Sequence, residues 1–184
     1  GRNVTVSAAS LTISRNDGYS TGETFVGGMS AALVFQFLVD AGNSSEVQID
    51  TLDFDATVST DAGYFASARG LYDAYSNCYL SDDDGETAIK GKTDDMAAGA
   101  TAGNLNFDNL DYTVEKSEQS EIGLYCDFQT GVDATSSLVF TLDVSSSVFE
   151  DGKGDTIATP NGDADVASAS LTVADAGSLT VSVS

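Results

Sequence analysis

The chain is 184 residues long and carries 29 acidic against 7 basic side chains, a net charge of −22, with no His and no Trp. A surface of that sign repels phosphate backbones and anionic lipid, which sets nucleic acid and membrane surfaces aside as partners. Without His, no Ser-His, Cys-His or His-metal arrangement can form within it; the expectation is a non-enzyme with its own core, since a chain of this length buries roughly 70% of its unfolded surface.

The opening passage, VTVSAASLTIS (Val4 to Ser14), sets two short alternating runs, Val4 with Val6 and Leu11 with Ile13, around a small-residue turn. After the turn-rich RNDGYSTGE, LVFQFLV (33–39) is apolar on nearly both faces, and TLDFDATV (51–58) alternates Leu52, Phe54, Ala56 and Val58 with polar residues. AGYFASARGLYDAY (62–75) mixes small and aromatic residues and reads as a short helical turn running into a strand, LYDAYSNCYL (71–80). DDMAAGATAG (94–103) reads as a flexible loop. Further strands follow in LDYTV (110–114), EIGLYCDF (121–128, with Ile122, Leu124, Cys126 and Phe128 on one face) and SLVFTLDV (137–144, with Leu138, Phe140, Leu142 and Val144). The chain closes on SLTVADAGSLTVSVS (170–184). About nine short strands between Gly, Asn, Asp and Ser turns predict an all-β protein, an antiparallel β-sandwich of Ig-like topology. No linker rich in Pro or charge divides it.

The two ends say nearly the same thing. Val4-Thr5-Val6 matches Leu171-Thr172-Val173, and Ser10-Leu11-Thr12-Ile13-Ser14 matches Ser178-Leu179-Thr180-Val181-Ser182. A passage repeated in this way reads as one module shown with its junction on each side: a junction over 1–14, a sandwich over 15–177 and a candidate donor strand over 178–184. That last strand sets Leu179, Val181 and Val183 against Thr180, Ser182 and Ser184, and a lone strand is not stable in water. Placed in the next subunit, at the position Val4, Val6, Leu11 and Ile13 suggest, it would cover a sheet edge. The resulting contact is heterologous and need not close, so it builds a filament.

The succession VFQFLVDAG, IDTLDFDATVS, LYDAYSNCYLSDDDGETAIKG, LDYTVEKSEQSEIGLYCDF and TLDVSSSVFEDGKGDTI resembles the repeated β-sandwich modules of very long secreted and surface-layer-like proteins of uncultured bacteria. In that family modules follow one another through a short SLTVS strand. The resemblance covers nearly the whole chain and implies a structural role at the cell surface or outside the cell; it implies no catalytic residue.

Cys126 shares a face with Ile122, Leu124 and Phe128, and Cys78 with Ala74 and Leu80, so alternation turns both inward. They read as partners across the core, in keeping with secretion, or else as two buried thiols. The acidic turns SDDDGE (Asp82, Asp83, Asp84, Glu86), EDGKGDT (Glu150, Asp151, Asp155) and NGDAD (Asn161, Asp163, Asp165) offer oxygen ligands for Ca²⁺, although Val166 stands where an EF-hand needs Gly and acidic turns arise by composition in a chain with 22 Asp. No cofactor is required. Asn3 and Asn43 head glycosylation sequons, a number that chance alone supplies. Tyr72, Tyr75 and Tyr79 suggest a patch for glycans or protein, with Tyr75 and Tyr79 facing outward beside Asp73 and Asn77. Paired carboxylates of a glycosidase are the enzymatic rival, but no spacing singles out a pair. The expected function is a structural subunit of an extracellular filament or surface array, with identical subunits or neighbouring modules as partners. A glycan- or cell-binding adhesin module is the other reading.

Overall fold

The computed structural model describes residues 9–16, 24–60, 74–94, 102–130, 137–158, 160, 164–168 and 170–174. The period-two runs become two facing sheets. The first holds β1 (Leu11–Arg15), β3 (Ala32–Ala41), β9 (Gln119–Phe128), β5 (Tyr75–Ser81) and β6 (Thr93–Asp94), in that order across the sheet. The second runs β2 (Thr24–Val26), β12 (Leu171–Ala174), β10 (Ser137–Asp151), β4 (Val47–Thr60) and β7 (Ala102–Phe107); β11 (Val166–Ala167) also lies on β10 and β8 (Tyr112–Val114) on β4. The protein is an all-β sandwich, antiparallel except where β2 runs parallel to β12.

Between the sheets lies one apolar core. Phe54 of β4 is fully buried and meets Phe35 and Phe37 of the opposite sheet at ring-centre distances of 6.2 and 5.9 Å, and Phe107 of β7 at 6.0 Å. A register shift between Leu33 and Phe35 turns both Val34 and Phe35 inward, which is why LVFQFLV lacks clean alternation.

A second shift corrects the reading of the tyrosines. Between Ser76 and Tyr79 the pairing of β5 with β9 slips, with Asn77 at φ 50°, so the face parity changes inside the strand. Cys78 and Leu80 point inward as expected, but so does Tyr75, fully buried against Phe128 and Phe140. Its hydroxyl has no hydrogen-bond partner among the described residues, and burial raises its pKa well above the usual phenol value. The outward patch therefore loses Tyr75; Tyr72 lies outside the described residues.

Cys78 and Cys126 form a disulfide, but not across the core. They sit on β5 and β9, neighbouring strands of the same sheet, with Cα atoms 4.1 Å apart. The bond staples one sheet and leaves the contact between sheets to apolar packing. Of the segment 62–75 expected to hold a helical turn, 62–73 lies outside the described residues, and Tyr75 opens β5. The expected loop over 94–103 gives up its ends to β6 and β7, where Asp94 accepts the Asn106 N–H at 2.8 Å.

Tyr79 stacks on Tyr125 at 5.4 Å and donates its hydroxyl to the Gly85 carbonyl, drawing the acidic loop after β5 over that ring. Gly85 has φ +85°, and a Cβ there would come within 2.7 Å of the Tyr125 ring. Gly85→Ala is expected to cost about 1–3 kcal/mol, the range of a strained backbone position, measured as a shift of the urea midpoint.

Candidate assembly interface

β1 is an edge strand: it pairs only with β3 among the described residues. Its register sets Leu11 opposite Ala41, Thr12 opposite Asp40, Ile13 opposite Val39, Ser14 opposite Leu38 and Arg15 opposite Phe37. Leu11 and Ile13 are 6% and 3% exposed and fill the core, while Thr12 and Ser14 face solvent. These two apolar side chains at alternating positions are what the sequence SLTIS supplies. The slot is bounded at its start by the Gly42 N–H donating to the Ser10 carbonyl at 2.9 Å. At its end Asn16 Nδ2 donates to Gln36 Oε1 and Glu121 Oε2 at 2.9 and 2.8 Å.

The registers also fix which end of the sandwich each strand reaches. β1 begins level with Ala41, at the end that holds the β3–β4 turn, where the Ser117 N–H donates to the Ala41 carbonyl and the Glu118 carbonyl accepts the Ala41 N–H. β12 runs the same way as β1 and finishes at the far end: Ala174 lies level with Val26, and the turn after Val26 is tied to Phe128 through the Met29 carbonyl. The chain thus enters the described sandwich at one end and leaves it at the opposite one. At the exit, Val26 and Met29 are 42% and 44% exposed, and neither Val26–Ala31 nor Gln129–Thr130 carries a charge. The entry end carries Glu46, Glu115, Lys116, Glu118, Asp151, Lys153 and Asp155 on its turns.

Of the other expected site residues, Val4, Val6, Leu179, Val181, Val183, Asn3 and Asp163 lie outside the described residues. Leu11 and Ile13, expected to mark a receiving position, are held in the chain's own β1. Asn43 is exposed in the turn between β3 and β4. The acidic residues are not gathered into a shell: among the described residues no three carboxylates or thiols are placed to hold one metal ion. Asp82 accepts the Tyr112 hydroxyl at 2.8 Å, and Asp84 sits at φ 57° while Glu86 is exposed. Asp83 closes the turn by accepting from Ser81 Oγ at 2.5 Å and from the Thr87 N–H at 2.9 Å, bonds that lower its pKa. Asp151 does the same with the Lys153 and Asp155 N–H groups, and its pKa falls for that reason. Asp165 accepts the Val144 N–H at 3.1 Å. Asp83 and Asp151 are thus engaged by the backbone of their own turns, as turn chemistry requires. Composition could not separate the two uses, because Asx-turn and ligand loops have the same letters.

No family model matches the chain, and no curated protein does. Solved structures match at the level of the sandwich. AvmM, which catalyzes macrocyclization in alchivemycin A biosynthesis, is 11% identical over 95% of this chain and 92% of its own, with a TM-score of 0.39. CaCohA2 from Clostridium acetobutylicum is 11% identical over 90% of this chain and 91% of its own, with a TM-score of 0.37. A third, BcpA, the major pilin subunit of Bacillus cereus, is 9% identical over 91% of this chain and 40% of that one, with a TM-score of 0.30. A fold does not carry a function, which must be argued from this chain's own surface. The buried disulfide fits a secreted protein, and no helix among the described residues is long and apolar enough to cross a membrane.

Proposed function

We propose that the protein is a structural unit of an extracellular filament or surface array, copies of it joining head to tail through Ser178–Ser184 pairing as a strand with the next copy. The observation that carries this reading is the placement of entry and exit at opposite ends of the sandwich. A chain that leaves at the far end with an amphipathic strand still to place delivers that strand to whatever is stacked there. The exit end suits such a neighbour, since its described turns Val26–Ala31 and Gln129–Thr130 contain no charged residue and expose Val26 and Met29. The reading needs no catalytic residue and no cofactor.

Leu179, Val181 and Val183 would be buried in the contact, at about 1.5–3 kcal/mol each. The full chain is expected to form filaments visible by electron microscopy, and deleting Ser178–Ser184, or replacing Val181 by Asp, is expected to leave a folded, disulfide-bonded monomer in their place. Filaments undiminished in both variants would overturn the reading.

A further inference from the structure

We infer that β1 is a plug: Ser178–Ser182 fits the β1 slot along β3 of a second copy, and a unit whose own β1 holds that slot is closed to its neighbour until β1 is released. This rests on the head-to-tail reading and says where the strand docks and what controls it.

The fit follows from the side chains. Four of the five residues of Ser10–Ser14 recur in Ser178–Ser182, and the fifth, Val181 for Ile13, keeps β-branching and removes one methylene. With Leu179 in the Leu11 position, opposite Ala41, Val181 falls opposite Val39, and Thr180 and Ser182 fall on the solvent face opposite Asp40 and Leu38. A slip of one residue would expose both apolar side chains, so the pattern admits a single register.

The slot cannot be the copy's own. It must be entered level with Ala41, whereas Ala174 lies at the Ala32 end of the sandwich. The nine steps of β3 between those levels span about 30 Å. From Ala174 to Leu179 the chain has five steps, which reach about 18 Å fully extended. A second copy stacked on the exit end presents its own Ala41 end there, within that reach.

What then decides occupancy is competition between two nearly identical strands. The copy's own β1 enters from a short tether, at an effective concentration on the order of millimolar, and its Ile13 fills the slot better than Val181. A free unit is therefore self-plugged, with the open edge of its sheet kept to five residues, and removal of β1 converts it into an acceptor.

The test uses two cysteine pairs in the full chain, assembled into filaments and mildly oxidised. Thr180→Cys with Asp40→Cys is in register and should crosslink into a ladder of multimers on a non-reducing gel. Thr180→Cys with Gln36→Cys is four residues out of register and should lose the ladder. A chain lacking residues 1–14 should, in addition, polymerise at concentrations where the full chain is monomeric, and a synthetic Ser10–Asn16 peptide added to it should block that polymerisation. Should the shortened chain fail to fold, the crosslink in full-length filaments decides alone. Filaments without the in-register crosslink would overturn the plug and leave the head-to-tail reading standing. Absence of filaments in every chain would overturn both.

Discussion

Phe54→Ala is expected to remove about 3–5 kcal/mol of stability, the range for truncating a buried Phe, out of a total that for a domain of this kind is about 5–15 kcal/mol. Phe54 sits in the middle of the 14-residue β4, between β10 and β7, and is fully buried. Its ring is the meeting point of both sheets, edge-on to Phe35 and Phe107 and tilted on Phe37. Because the disulfide lies within one sheet, nothing covalent substitutes for this contact. Neighbouring rings cannot collapse into the void without pulling β3 toward β4, so most of the cavity persists. Urea denaturation should show a lower midpoint with an unchanged slope. A loss below about 1 kcal/mol, well under the range for such a truncation, would mean that the sheets pack without it.

The strands that carry this core were legible wherever four apolar residues alternate. TLDFDATV, EIGLYCDF and SLVFTLDV lie within β4, β9 and β10, and Leu52, Phe54 and Ala56 of the first, with the expected inward faces of the other two, are buried. β2, β6, β7 and β11 were not. Three of them have two or three residues, too few for a period, and β7 carries only Leu105 and Phe107 inside AGNLNF, whose Gly and Asn read as turn chemistry. Tyr75 was misplaced because a register shift costs no letter in the sequence: parity counted back from Cys78 is right only while the pairing is continuous.

The interface was legible in part. The likeness of SLTIS to SLTVS stands in the sequence, and β1 shows what such a word does, namely bury its second and fourth residues against β3. The directions were hidden. That β1 starts level with Ala41 and β12 ends level with Val26 depends on pairings between segments far apart in the chain, which no local pattern records. The turn role of Asp83 and Asp151 was hidden for a related reason, since the groups they accept from include backbone N–H donors, which nearly every residue type supplies.

Replacing Cys78 and Cys126 together by Ala is expected to lower stability by about 4 kcal/mol, the chain-entropy value for closing a loop of this length, and to leave assembly intact. The two positions are 48 residues apart in sequence and fully buried, so the bond restricts the unfolded chain strongly, and the paired substitution leaves no lone thiol in the core. Its effect on the folded surface is small, because β5 and β9 remain hydrogen-bonded neighbours without it. The assembly slot is also remote from it: Cys126 lies opposite Ala32, at the other end of β3 from Ala41, where β1 begins. Thermal or urea unfolding of the double variant should therefore shift strongly, while filaments at a temperature well below its midpoint look unchanged by electron microscopy. If filaments vanish although the variant is still folded, the stapled part of the sheet and the β1 slot are one cooperative unit, and the slot cannot be treated as an edge that exchanges strands independently of the core.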